Sequence, residues 1–287
     1  MPELPEVEAL ALDLRGRLQD RAIAKVHLAQ FSALKTYQPP LQALEGTLVD
    51  NVTRHGKFLD IEASGLHLVL HLARAGWVRW RDEVPTIPPK PSPKSTLAAR
   101  VVLDDDSGLD VTEAGTKKSL ALYVVERPAD VPGIATLGPD PLTDDFTLTR
   151  FREILAKEGR KQLKGVLRHQ GTIAGIGNAY SDEILWAARM SPFKPAELSD
   201  EESQILYDAL RSTLESAVER SRGLAASELK GEKKSNLAVH GRAGQACPRC
   251  GDTVREVSFA DSSLQYCPTC QTGGKPLADR RMSKLLK

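Results

Sequence analysis

Two cysteine pairs, Cys247-x-x-Cys250 and Cys267-x-x-Cys270, stand sixteen residues apart near the end of the chain. No other feature constrains the fold as strongly. Two such knuckles at this distance bring four thiolates to one tetrahedral metal ion in a small β-hairpin finger. Zinc is the default, since four sulfurs suit its coordination and leave no open position, so a single structural Zn2+ is expected. Iron–sulfur ligation or redox-active pairs are the alternatives. The first residues, Met-Pro-Glu-Leu-Pro-Glu, are acidic and contain no apolar run, so no signal peptide is expected. A reducing cytoplasm then favours metal binding over a disulfide framework.

Around that module lies an ordinary globular chain. Its 287 residues predict two domains. The 41% hydrophobic and 27% charged content excludes a disordered or collagen-like chain. No apolar run approaches the roughly 18–20 residues of a membrane span, so no membrane association is expected. The net charge of +1 is uninformative, but its distribution is not. Residues 150–169 carry Arg150, Arg152, Lys157, Arg160, Lys161, Lys164 and Arg168 against Glu153 and Glu158. The tail carries Lys275, Arg280, Arg281, Lys284 and Lys287 against Asp279. A neutral protein can in this way present one basic face, although charge alone favours plain solvated helix faces.

The hydrophobic periodicity divides the chain. Val7, Leu10, Leu14 and Leu18 predict a helix over 5–18. Segments 24–29, 47–53, 57–62, 66–72, 98–104 and 119–125 are short and rich in Val, Leu and Ile, and they predict an antiparallel sandwich or barrel. The prolines at 85, 88, 89, 91 and 93 mark a surface loop. Leu137-Gly-Pro-Asp-Pro-Leu142 reads as a linker. Helical periodicity follows from 146 to about 222, interrupted by glycines, and 223–246 reads as loop. The fold class is therefore α+β and multidomain, with boundaries expected at 1–136, 137–146 (linker), 147–238 and 239–287.

Two further motifs carry chemistry. Gly175-Ile176-Gly177-Asn178 precedes a helical run, and a glycine turn at a helix start exposes backbone N–H groups to a phosphate. Asn178 is also a good N-cap by residue type, and a plain capped helix explains the pattern alone. At the N-terminus, Met1 precedes Pro2. Once freed, Pro2 is a secondary amine. An α-amino group has a pKa about 7.7–8 against about 10.4 for lysine, so more of it is unprotonated and nucleophilic at neutral pH. Glu3 and Glu6 stand close enough in sequence to assist proton transfer. A helix start with proline at its first position and acids in its first turn is the plain alternative.

Together, Met-Pro-Glu-Leu-Pro-Glu-Val-Glu at 1–8, the Gly-Ile-Gly-Asn turn and the C-terminal cysteine finger resemble the formamidopyrimidine-DNA glycosylase and endonuclease VIII family, over essentially the whole chain and in order. The resemblance implies an N-terminal helix with a β-sandwich, a helix–two-turn–helix domain and a zinc finger, with damaged double-stranded DNA between the lobes. It implies a bifunctional glycosylase and abasic-site lyase of base excision repair, acting as a monomer in a bacterial-type cytoplasm on nucleoid DNA. Pro2 then matches the nucleophile, Glu3 the acid, Glu6 a supporting carboxylate, Lys57 the sandwich lysine at the lesion phosphate and Asn178 a phosphate clamp. Lys164 and Arg242 are read as further candidate DNA contacts.

The chain also departs from the family pattern. Ser262 stands five residues before the third cysteine, where the family usually has a phosphate-gripping arginine. Arg74, in His71-Leu72-Ala73-Arg74-Ala75-Gly76, stands where the oxidised-purine branch has an intercalating methionine. Glu113-Ala-Gly-Thr-Lys-Lys-Ser119 replaces that branch's void-filling segment, and the loop 223–238 is short. These departures motivate a second reading: an abasic or damaged-DNA-binding protein of the same fold with little glycosylase activity. A zinc-ribbon transcription or RNA-binding factor would explain only 247–270.

Overall fold

The computed structural model describes residues 1–85, 87–92, 94–259 and 262–278. Pro93, Asp261, Asp279 and the tail cations Arg280, Arg281, Lys284 and Lys287 therefore lie outside the described residues. The chain divides into two compact units, Met1–Leu137 with Arg220–Lys230, and Gly138–Glu219 with Gly231–Lys287.

The first unit is built on helix α1 (Leu4–Leu18). Leu4, Val7, Leu10, Leu14 and Leu18 recur at helical spacing, and each is at most 1% exposed. Burying each such side chain contributes about 1.5–3 kcal/mol before entropy is counted. Eight strands follow: β1 (Ile23–Leu28), β2 (Val49–His55), β3 (Phe58–Ala63), β4 (Leu66–His71), β5 (Gly76–Arg81), β6 (Leu97–Leu103), β7 (Gly108–Glu113) and β8 (Ala121–Val125). They form two antiparallel four-stranded sheets, ordered β1-β6-β7-β5 and β2-β3-β4-β8. One core cluster joins both sheets to α1 through residues such as Val26, Leu59, Leu70, Val101 and Val111. A short α2 (Pro132–Ala135) precedes the unit boundary.

Two strands, β5 and β7, were not legible in the sequence. β7 reads Gly-Leu-Asp-Val-Thr-Glu, with a carboxylate at an interior position. The sheet tolerates it because Asp110, 2% exposed, meets Arg100 in a two-point pair at 2.7 and 3.1 Å and Arg81 at 2.9 Å. Burial works to raise the Asp110 pKa, but the two guanidiniums, Arg100 first, more than offset it and hold the carboxyl below its ordinary value. A depressed carboxylate stabilises the fold above the unfolded pKa of about 3.9 and loses that contribution as pH falls through the folded value. Arg100→Met is expected to cost about 3 kcal/mol at neutral pH by stripping a buried charge of its main partner. Urea denaturation checks this, and a loss below about 0.5 kcal/mol would remove the pair from the list of stabilising contacts.

The second unit holds α3 (Leu148–Glu158), α4 (Leu163–Arg168), α5 (Asn178–Ala187) and most of α6 (Asp200–Ser221). α3 is capped by Thr147, whose hydroxyl accepts from the Arg150 N–H. The expected loop over 223–246 contains a helix instead, α7 (Leu229–Asn236). Its sequence, Leu-Lys-Gly-Glu-Lys-Lys-Ser-Asn, has almost no apolar stripe. Leu229, fully buried in the sandwich core, anchors its first turn. The chain then forms the finger: hairpin β9 (Arg255–Ser258) and β10 (Ser263–Tyr266), then α8 (Pro268–Thr272). No helix among the described residues is long and apolar enough to cross a membrane.

Candidate nucleic-acid interface and metal centre

At the head of α1 the sequence folds onto itself. Glu3 is the N-cap, its carboxylate accepting from the Glu6 N–H, and Glu6 Oε2 accepts from the Glu3 N–H at 2.8 Å. This reciprocal capping satisfies two N–H groups that a helix start otherwise leaves open. Both glutamates are 2% exposed. Leu4 and Pro5, rather than Pro2, hold the first two helical positions, so Pro2 sits just before the cap. Two contacts hold α1 against β2: Arg15 donates to the Val52 carbonyl at 2.6 and 2.9 Å, and Arg54 pairs with Glu8 at 2.7 Å.

The sequence places Lys57 at a strand start, but it lies in the β2–β3 turn, between the paired His55 and Phe58. Gly56 supplies the left-handed backbone there, φ +57°. Lys57 is 9% exposed, far from a solvated surface lysine. His71 lies opposite Phe58 on β4, its ring 4.7 Å from the Phe58 ring. Burial, and then the Lys57 charge, push the His71 pKa down, which favours the neutral imidazole. Nothing in its sequence context singles out His71 beyond its place in the His71-Leu72 run.

Arg74 is exposed in the tight turn joining β4 to β5. The Gly76 N–H donates to the Leu72 carbonyl at 2.8 Å. A Cβ at Gly76 would lie 2.1 Å from that carbonyl oxygen, so only glycine closes the turn. Glu113, opposite Gly76, is 1% exposed. Its Oε1 accepts from the Ser119 and Leu120 N–H groups, at 2.8 and 3.1 Å, while its Oε2 is buried without a partner. Glu113 thereby ties down the 114–119 segment.

In the second unit, Gln170 braces the glycine turn, accepting from the Gly175 N–H and donating to the Ile176 carbonyl. The N-cap of α5 is Gly177 and not Asn178, which is the first helical residue. The Asn178 side chain does not cap: its Nδ2 donates to the Ser263 carbonyl at 2.7 Å, and its buried Oδ1 has no partner. Lys164 also departs from expectation. It is 5% exposed, and its Nζ donates to the Asn178 carbonyl, Ser181 Oγ and Asp182 Oδ1 at 3.1, 2.8 and 2.6 Å. It positions the first turn of α5 and is not a surface cation. Arg242 is half-buried and donates to Gln245 and to the Leu237 carbonyl. Ser262, half-buried, offers its carbonyl to the Phe259 N–H.

The four cysteine sulfurs lie within 4.8 Å of one another. The Cys247–Cys270 and Cys250–Cys267 separations are 3.9 and 3.4 Å, against about 3.8 Å for thiolates around one tetrahedral zinc. Burial opposes ionisation of Cys247, but the Arg249 and Cys250 N–H groups and the Trp186 indole bring its thiol down to about 6. Burial, first of all, raises Cys267 and Cys270. Four clustered thiols cannot all ionise without a cation among them, so this donor set fits a divalent metal held by Cys247, Cys250, Cys267 and Cys270.

One face of α5 carries the finger. Asp182 Oδ2 accepts from the Gln265 N–H at 3.1 Å and lies 2.7 Å from His240 Nδ1. Glu183 accepts the N–H groups of Ala238, Val239 and His240 at 2.7, 2.9 and 2.8 Å. Its burial raises its pKa. The Trp186 indole donates to Cys247 Sγ at 3.4 Å, and Arg249 stacks 4.0 Å over that indole. Sequence reasoning missed this scaffold, because its partners lie more than fifty residues apart.

A glycine turn at the start of a helix, followed by a four-cysteine finger, is an arrangement of nucleic-acid-binding proteins, and comparison narrows it. Three family models match in order: the formamidopyrimidine-DNA glycosylase N-terminal domain over 1–118, its H2TH domain over 137–228 and the zinc finger found in FPG and IleRS over 244–273. A formamidopyrimidine-DNA glycosylase from Heliobacterium modesticaldum is 36% identical across 94% of this chain and all of its own length. An uncharacterized formamidopyrimidine-DNA glycosylase-like protein of Mycobacterium tuberculosis is 57% identical over 161 residues, 55% of this chain and 99% of its own. A crystal structure of the Thermus thermophilus protein superposes with a TM-score of 0.78 at 33% identity, covering 96% of this chain and all of that one. The Lactococcus lactis enzyme bound non-covalently to abasic-site DNA gives 0.80 at 26% identity, covering 94% and 99%. The chain belongs to the formamidopyrimidine-DNA glycosylase family.

Proposed function

We propose that this chain is a bifunctional DNA glycosylase and abasic-site lyase that uses the amine of Pro2 on damaged double-stranded DNA. The observation that carries the reading is the reciprocal Glu3–Glu6 cap, which fixes Pro2 at the head of α1 and buries two carboxylates beside it in sequence. While Met1 is attached, the Pro2 nitrogen is an amide and has no basic lone pair, so the chemistry requires Met1 to be removed. The freed amine attacks C1′ of the flipped nucleotide. The C1′–N bond breaks, and the base leaves with the bonding pair and takes up a proton. The amine loses its proton, its lone pair expels O4′ from C1′, O4′ takes up a proton, and the opened ring carries an iminium at C1′. Loss of a C2′ proton then expels the 3′-phosphate, a second elimination expels the 5′-phosphate, and water releases the sugar remnant from Pro2. Glu3 supplies the acid. Glu6 holds Glu3 in place, and Lys57 and Asn178 are the phosphate contacts. One Asn178 Nδ2 hydrogen is held by the Ser263 carbonyl, and the second is the one that would meet a phosphate. The metal is structural and enters no step.

Ser262 and the 113–119 segment favour a second reading, damage binding with little excision. Borohydride trapping on duplex DNA with one abasic site separates the two, because only a working amine leaves a covalent adduct.

Lesion choice follows from the turn at Arg74 and the short 223–238 segment, half of which is helix α7. A flipped oxidised guanine would find few contacts there, whereas an abasic site needs no base pocket and costs less to extrude. Abasic-site cleavage is expected to exceed 8-oxoguanine excision. Arg74→Ala should weaken binding to abasic duplex about ten-fold, roughly 1.4 kcal/mol, and to undamaged duplex much less, since a guanidinium can stack in the vacated gap and read the orphaned base edge. Equal losses on both duplexes in a salt-matched titration would make Arg74 a plain phosphate contact.

A further inference from the structure

A cavity of about 590 Å3 in the first unit has a composition that the chemistry at Pro2 does not use. Its walls come from the outer edge strand β5, the far half of α1 and the segment at 225–230. Asp13 and Arg17, which line it, lie ten and fourteen residues beyond Glu3 on α1. At 1.5 Å per residue that is about 15 Å or more along the helix axis, too far for a base flipped at Pro2 to occupy it.

Two tryptophans and four cations meet here. The Trp77 indole donates to the Ala226 carbonyl at 2.7 Å and the Trp80 indole to Asp82 at 2.9 Å, so both rings are pinned. Lys230 stands 4.8 Å over the Trp77 ring and Arg17 5.0 Å over the Trp80 ring. Two of the cations already have carboxylate partners: Arg17 pairs with Asp13 and Arg81 with Asp110, each at 2.9 Å, and Asp110 is shared with Arg100. Among the described residues, Arg79 is exposed and pairs with no carboxylate, and Lys230 faces only the indole. The cavity thus carries the charges of Arg79 and Lys230 against the Asp82 carboxylate, beside fixed aromatic surface. It is far larger than a phosphate ion and lies within the roughly 300–1,000 Å3 of small-ligand sites. Cations beside a rigid aromatic wall are the combination that holds a phosphate and a planar base together.

We propose that this cavity binds a nucleotide, with Arg79 and Lys230 taking the phosphate and Trp80 the planar base. The ligand is either a free nucleoside monophosphate or one residue of an unpaired strand, and these present the same chemistry. The test is isothermal titration of the zinc-loaded full chain with dAMP, deoxyadenosine, inorganic phosphate and a lesion-free single-stranded tetranucleotide. Arg79→Gln and Lys230→Gln are run alongside, with thermal melts to confirm folding. The expected result is dAMP binding at least about ten-fold tighter than deoxyadenosine or phosphate alone, lost about ten-fold in either variant. Abasic-duplex nicking should stay within two-fold, which separates this site from the Pro2 reading. Tetranucleotide binding that falls in Arg79→Gln, without dAMP binding, identifies the source as a strand. Phosphate binding as tightly as dAMP, or affinities unchanged in folded variants, overturns the proposal.

Discussion

Protein that retains Met1 is expected to give no borohydride-trapped adduct on abasic DNA, while the processed protein gives one. Acylation leaves the Pro2 nitrogen planar and non-basic, so both base removal and strand nicking should fall together, by on the order of 10³-fold or more, as for removal of any nucleophile. Pro2→Gly tests the same point from the other side. It keeps an amine, and with it the chance of an imine, but a primary one without the ring that fixes its approach, so partial activity is expected. Duplex affinity should change little in either form, because neither alteration touches Lys57, Asn178 or the finger. N-terminal mass analysis must accompany the rates. Wild-type nicking by protein shown to keep Met1 would remove Pro2 from the mechanism and leave damage binding as the better reading.

How much of this was legible in the sequence differs from part to part. α1 was visible because Val7, Leu10, Leu14 and Leu18 keep one period against a continuous core, and the finger because four cysteines need one another. β7 was hidden by Asp110, whose charge is answered by Arg100 ten residues earlier and by Arg81 across the sheet. α7 was hidden because a single buried leucine, Leu229, anchors its first turn. Residue type suggested Asn178 as a cap. The structure gives that place to Gly177 and sends the Asn178 amide to the Ser263 carbonyl, a contact supplied by β10 of the finger. Lys164 was read from a run of basic residues, yet charge in a sequence does not say which cation faces inward. Here the inward one is the lysine that meets Ser181 and Asp182.

That dependence of Asn178 on the finger gives the second large effect. Cys250 is exposed, so Cys250→Ser buries no new polar group, and its cost arises only through the metal. Losing one thiolate ligand should lower metal affinity steeply, and in modules this small metal binding and folding are one equilibrium, worth about 10–16 kcal/mol in isolated zinc fingers. The consequence travels along one face of α5. Without a folded finger, Cys247 leaves the Trp186 indole, Gln265 leaves Asp182 and Ser263 leaves Asn178. Asp182 would then keep Lys164 but lose a backbone donor, and the Asn178 amide would be left without its partner. Cys250→Ser, or chelation of the wild type, is therefore expected to release about one metal ion per chain. It should weaken abasic-duplex binding by at least about a hundred-fold, roughly 2.7 kcal/mol. The first unit contributes none of these contacts, so its unfolding midpoint should hold. Metal analysis with fluorescence anisotropy on the same samples decides the matter. Purified protein without metal would overturn the assignment of the four cysteines, and undiminished duplex binding after complete chelation would show that Asn178 does not depend on the finger.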